Sequence, residues 1–121
     1  MIKFTADIDP IPLARPRVNT QTRQAFYPAK SKMFKKELSF IAKGAMKDRP
    51  PLTGELKAVV NLYRKFKPDV RQFGDIDNHL KAIFDALNGI CFADDSQIVE
   101  VDCQKFKGEP KIEIQIEELR K

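Results

Sequence analysis

Gly74-Asp75-Ile76-Asp77-Asn78-His79-Leu80-Lys81, followed a dozen residues later by Phe92-Ala93-Asp94-Asp95-Ser96, decides how this chain is read. Four carboxylates fall in two tight pairs. Between them, residues 77–88 carry Leu80, Ile83, Phe84 and Leu87 at i, i+3, i+4 and i+7, the spacing of a helix with one apolar face. Asp77 is the expected N-cap, and Gly89 is well placed as the C′ residue. Holding like charges together raises free energy unless a cation or proton compensates them. Hard cations such as Mg²⁺ take oxygens from one or a few carboxylates together with substrate phosphates. The pattern predicts a metal site facing a phosphate-bearing substrate.

The flanks of this stretch alternate with period two. Residues 54–66 read as a strand with Leu56, Ala58, Val60 and Leu62 on one face, and residues 98–106 as another. Lys107-Gly108-Glu109-Pro110 forms a turn into a last strand, where Ile112, Ile114 and Ile116 alternate with Glu113, Gln115 and Glu117. That strand is expected to be the antiparallel hairpin partner of the one before it. Its apolar face or edge also offers a place for two copies to meet. Residues 1–9 alternate as well, and Pro10 and Pro12 end that strand. An irregular loop follows, with a short hairpin expected around Asn19 to Gln24. Ser31 then caps a helix over residues 31–47, with Phe34, Leu38, Ile41 and Ala45 facing inward, flanked by Met33 and Ala42. The expected fold is α+β, a mixed sheet of four or five strands with two helices, in one domain over residues 1–121.

Charge is segregated. Residues 1–71 hold 16 Lys and Arg against 6 Asp and Glu, whereas residues 72–121 hold 6 against 11. A basic half beside an acidic one suggests a polyanion-binding surface next to an acidic site. Arg15, Arg17, Arg23, Lys30, Lys32, Lys35, Lys36 and Arg71 are the candidate phosphate contacts, with Phe26, Tyr27 and Phe73 as stacking or wedge groups. Pro16 stiffens the loop that carries Arg15 and Arg17, which lowers the entropy lost on docking. Cys91 and Cys103 lack CxxC or Cys/His spacing, so a structural zinc site is not expected and both read as reduced core thiols of a cytosolic protein. No run reaches membrane-spanning length, and no signal peptide opens the chain.

Phosphodiester hydrolysis needs an activated water, a cation to stabilise charge on the phosphoryl oxygens, and a proton for the leaving oxygen. Asp75, Asp77 and Asp95 can hold one or two Mg²⁺ ions that supply the first two, with Asp94 as the alternative to Asp95. Lys81, one turn along from Asp77, can orient the water or neutralise developing charge. Each residue has a plainer reading: Asp77 as a cap, Asp94-Asp95-Ser96 as a polar turn, Lys81 as a solvated lysine. The conjunction within 21 residues favours chemistry. His79 reads as a structural or solvent-facing helix residue, and Asp85 as a partner for Lys81.

Asp75-Ile-Asp77-Asn78, Lys81, Phe84-Asp85-Ala86-Leu87 and Asp94-Asp95-Ser96-Gln97-Ile98 resemble the core motif of the RusA-type Holliday junction resolvases, and Pro12-Leu-Ala-Arg15-Pro-Arg17 and Tyr27 fit the same pattern more loosely. The resemblance implies a dimeric, Mg²⁺-dependent endonuclease (Mn²⁺ as substitute) of phage or prophage origin, cutting four-way DNA junctions symmetrically in the bacterial cytoplasm. It implies DNA and a second copy as partners, with no membrane and no small-molecule substrate. The family's catalytic aspartates match Asp75, Asp77 and Asp95, and its catalytic lysine matches Lys81. Two other readings stand beside it: a non-catalytic nucleic-acid-binding protein, and a metal-dependent nuclease acting on other branched DNA or on RNA.

Overall fold

Period-two and period-3.6 segments alternate along the chain, and each becomes one element of the computed structural model, which describes residues 1–12, 17–18, 21, 25–26, 29–65 and 75–119. In order these are β1 (Ile2–Ala6), β2 (Arg17–Val18), β3 (Ala25–Phe26), α1 (Ala29–Met46), β4 (Leu56–Arg64), α2 (Ile76–Leu87), a 3₁₀ turn (Asp95–Gln97), β5 (Ile98–Lys107) and β6 (Lys111–Glu118). The result is the expected α+β arrangement: two helices and a four-stranded mixed sheet of order β1-β6-β4-β5, with β2 and β3 forming a separate antiparallel ribbon.

The expected β5–β6 hairpin does not form. β5 runs parallel to β4, which requires a crossover that α2 supplies, and β6 passes over to lie antiparallel between β4 and β1. Burial explains the exchange. Ile112, Ile114 and Ile116 of β6 are at most 1% exposed and pair with Leu62, Val60 and Ala58 of β4 on one face. A strand this apolar belongs in the centre of a sheet. β5 carries Glu100, Asp102, Lys105 and Lys107, and charge is better tolerated on an edge. Both edges of β6 are thereby paired and its isoleucines are sealed in, so neither offers the meeting place for a second copy that the alternation suggested.

The other sheet face is polar. Glu113 accepts from Tyr63 Oη at 2.8 Å and from Asn61 Nδ2 at 3.3 Å, and Tyr63 stacks on Phe106 with centroids 5.1 Å apart. The hydrogen bond from Tyr63 holds the Glu113 carboxyl below its usual range and raises the Tyr63 hydroxyl.

The helices cover the apolar face. α1 buries Phe34, Leu38, Ala42 and Met46, so its core stripe lies one position away from the expected Ile41 and Ala45, which are half-buried. α2 buries His79, Ala82, Ile83, Ala86 and Leu87, while Leu80 and Phe84 sit at the border. His79, 1% exposed, is therefore structural and not solvent-facing. Cys91 is wholly buried, and desolvation pushes its thiol up to about 11, as expected of an unreactive core cysteine.

Candidate active site

The acidic pairs sit at the two ends of α2, and local backbone chemistry fixes both positions. Asp75, not Asp77, occupies the N-cap position, in extended conformation and without a side-chain capping bond. Asp77 falls in the first turn. Both carboxylates are exposed beside the unpaired amides of a helix start, where negative charge is favoured. Lys81 Nζ lies 3.8 Å from Asp77 Oδ2, one turn on. Their side chains are 64% and 72% exposed, and an open pair of this kind contributes only about 0.3–0.5 kcal/mol. Stability is no strong reason for the pair to exist. Asp85 does not join Lys81; it lines a groove of ≈ 140 Å³ between α1 and α2 together with Lys32 and Lys35.

At the far end the chain turns sharply. Gly89 adopts φ 81°, a conformation that glycine takes without steric penalty, and its amide donates to Phe92 O at 2.7 Å. The amides of Ile90 and Cys91 both donate to Leu87 O at 3.0 Å, and Phe92 bridges Asn88 and Leu52. Residues 88–92 thus close on the helix end and do not run back alongside it. Ten residues of helix, about 15 Å of axis, separate Asp77 from Leu87. Among the described residues, no three His, Cys, Asp or Glu side chains are grouped so as to hold an ion.

Asp94 and Asp95 are adjacent but differ in employment. Asp94 caps the 3₁₀ turn: its Oδ2 accepts from the Ser96 amide at 3.2 Å, and Ser96 holds its carboxyl below the usual range. Asp95 begins the turn with its side chain exposed. Gln97 completes the capping box, a residue whose importance the sequence reading missed although Asp94-x-x-Gln97 spells the motif. Its Oε1 accepts from the amides of Ala93 (2.9 Å) and Asp94 (3.1 Å), and its Nε2 donates to Leu52 O and Gly54 O, both at 3.1 Å. One side chain therefore fastens the Asp94-Asp95 turn to the segment entering β4. Gln97→Ala removes four bonds at a half-exposed site, and is expected to lower unfolding free energy by about 1–2 kcal/mol in urea titrations. Amide exchange at Ala93 and Asp94 should rise in the same variant.

Of the candidate phosphate contacts, Lys30, Lys32, Lys35 and Lys36 are exposed on α1. Arg17 lies in β2, where its backbone pairs with Phe26. Arg15, Arg23, Arg71, Tyr27 and Phe73 lie outside the described residues. No helix among the described residues is long and apolar enough to cross a membrane.

The donor set at the start of α2 consists of hard carboxylate oxygens, which suits Mg²⁺ or Mn²⁺ and not a thiolate- or imidazole-seeking metal. Asp75, Asp77 and Lys81 can together accept a cation, offer a base, and present a positive charge to a phosphate. Two comparisons bear on this arrangement. The model of a protein family described as Endodeoxyribonuclease RusA matches residues 7–117. A Bacillus subtilis (strain 168) protein described as "Uncharacterized protein YqaN" is 34% identical over 140 residues, covering 98% of this chain and 96% of its own length.

Proposed function

This chain belongs to the RusA endodeoxyribonuclease family, and from that membership we propose that it resolves Holliday junctions by paired, symmetric, Mg²⁺-dependent phosphodiester cleavage during DNA recombination and repair. The observation that carries the reading is the exposed group of Asp75, Asp77 and Lys81 at the start of α2, a pairing too weak to be explained by stability. In this reading Asp75 and Asp77 hold the cation. The bound ion would supply charge neutralisation at the scissile phosphate and acidify a water. Lys81 places a compact positive charge beside that phosphate. Asp95 is proposed as the third carboxylate on its place in the family motif alone, the neighbouring Asp94 carboxylate being committed to its cap; within one protomer Asp95 stands beyond the far end of α2 from Asp75 and Asp77 and is not grouped with them. The lysines of α1, with Arg15, Arg17, Arg23 and Arg71, bind the DNA backbone. Two copies act together, because two opposed cuts need two sites related by a two-fold axis. The setting is the cytoplasm of a bacterial host, with the gene carried by a phage or prophage.

The test is incubation with labelled four-way, three-way and linear duplex DNA, with and without Mg²⁺. Paired nicks confined to the four-way substrate and dependent on the cation are expected. Equal cleavage of all three substrates would replace resolution with a broader nuclease activity, and tight binding without any cleavage would favour a binding protein.

A further inference from the structure

The sheet ends, on its free edge, in an aromatic ring set among lysines. Tyr63 pairs with Phe106 of β5 on one side and with Lys111 of β6 on the other, so the three form one row across the strands on the face away from the helices. Lys111 Nζ lies 4.7 Å from the centre of the Tyr63 ring, and the Tyr63 and Phe106 rings stack at 22° with centroids 5.1 Å apart. Tyr63 is also held at its rim. Its hydroxyl donates to Glu113, and a Cβ at Gly108 would stand only 3.3 Å from Tyr63 Cδ2. The row therefore ends on Phe106, 39% exposed on a strand with no outer partner among the described residues. Tyr63 covers one face of that ring, and the opposite face is left toward the open edge.

The surroundings of Phe106 are charged. Lys105 and Lys107 flank it along β5, and Lys65 follows β4 at the same end of the sheet. The acids lie farther off. Asp7 and Glu113 stand beyond Tyr63 on the side of β1 and β6, while Glu100 and Asp102 lie back along β5, where Glu100 pairs with Lys57 at 3.2 Å. A protein partner seeks a continuous apolar patch, and Phe106 has none beside it: exposed Gln104 precedes it on that face and the turn at Gly108 follows. An isolated ring with cations on either side fits a base and its adjoining phosphates.

We propose that Phe106 is a stacking site for an unpaired base of single-stranded DNA, with Lys105 and Lys107 taking the neighbouring phosphates. A base extends the row of Lys111, Tyr63 and Phe106 by one more ring. Every base has a π-face, so the site tolerates any sequence, and a ring already fixed by its neighbours loses little freedom on binding. Fully paired DNA cannot use it, because its base faces are covered by stacking. The position is suited to the chemistry. α2 ends beside Leu52, ahead of β4, where the Leu52 amide donates to Cys91 O at 2.7 Å, so α2 begins toward the opposite end, where the parallel strands β4 and β5 finish. Asp75, Asp77 and Lys81 thus share one end of the sheet with the Phe106 row, on its other face. Nucleotides left unpaired beside a cleavage point can be held there. The assignment rests on the nuclease reading for its choice of DNA, and adds to it a subsite apart from the carboxylates.

The test is fluorescence anisotropy of the whole chain with a labelled oligothymidylate of about 12 nucleotides, and with a fully paired duplex of the same length, both in EDTA. Phe106→Leu should weaken oligothymidylate binding by on the order of tenfold or more and leave duplex binding unchanged. Phe106→Trp should retain the wild-type affinity. The chain has no tryptophan of its own, so Phe106→Trp also carries a single reporter whose emission should be quenched by oligothymidylate and not by duplex. That readout stands even where Phe106→Leu does not fold. Wild-type affinity in Phe106→Leu, an equal loss on both DNAs, or an indole emission indifferent to oligothymidylate overturns the stacking site. If junction cleavage by wild type persists alongside such a result, the nuclease reading survives it. Base stacking by a wild-type protein that cleaves none of the DNA substrates overturns the nuclease reading and leaves the site in place.

Discussion

Asp75→Asn and Asp77→Asn are each expected to lower Mg²⁺-dependent junction cleavage by on the order of 10²–10³-fold or more while leaving junction binding in EDTA intact or tighter. Asparagine keeps the shape and removes a negative charge that would repel phosphate. Asn also caps helices as well as Asp does, so the start of α2 should survive the change at Asp75. Lys81→Ala should cripple cleavage comparably and reduce binding only slightly, because one lysine among many contributes little to docking. Asp94→Asn is the internal control: it preserves the cap of the 3₁₀ turn and should retain more activity than Asp95→Asn. Near wild-type cleavage by the Asp75 or Asp77 variant, measured on four-way junctions under single-turnover conditions, would sink the active-site assignment and revive the binding-protein reading. Retained cleavage by Asp95→Asn alone would remove that residue from the set.

The largest effect on folding is expected at Phe92. Its ring is 0% exposed, meets Phe84 edge-on with centroids 6.3 Å apart, and fills the space where the turn after α2 meets the segment leading into β4. Phe92→Ala should lower unfolding free energy by about 3–5 kcal/mol, a large part of the roughly 5–15 kcal/mol available to a domain. In urea titrations the midpoint should fall with the slope unchanged, and Phe92→Leu should lose much less. A Phe92→Ala midpoint close to wild type would mean that the surrounding residues collapse into the space, and that this contact is not what fixes the turn.

The helices, the central strand β4 and the Gly89 stop were legible because each rests on local signals: periodicity, a positive φ, a flanking proline. Pairing of strands was not. Alternation in residues 111–118 says that one face is buried, but not that both edges are, and nearness in sequence favours a hairpin that the burial of Ile112, Ile114 and Ile116 overrules. His79 was missed for a related reason: it occupies the i−4 position relative to Ile83 on the true core face, but a polar residue does not register as part of an apolar stripe. At the candidate site the sequence names residues but does not give their mutual distances. Spacing placed Lys81 against Asp77 correctly, since one helical turn fixes it. The path from Gly89 to Asp95 depends on the Gln97 clamp and the bridge to Leu52, both contacts with residues some forty positions earlier.

The position of β6 has a consequence for the order in which the molecule is built. Among the described residues β1 is hydrogen-bonded to β6 and to no other strand, and Ile2 pairs with Ile116, far away in sequence. While ribosomal synthesis proceeds, β4, α2 and β5 can assemble among themselves, but β1 has no edge to join, and the isoleucine-matching face of β4 stays open on one side. β6, made after every other described strand of this sheet, is the keystone, inserted between two pieces that preceded it. Such long-range closure makes folding slow relative to a helical bundle of this size. It also concentrates the exposure to misassembly in the interval just before residues 111–118 emerge.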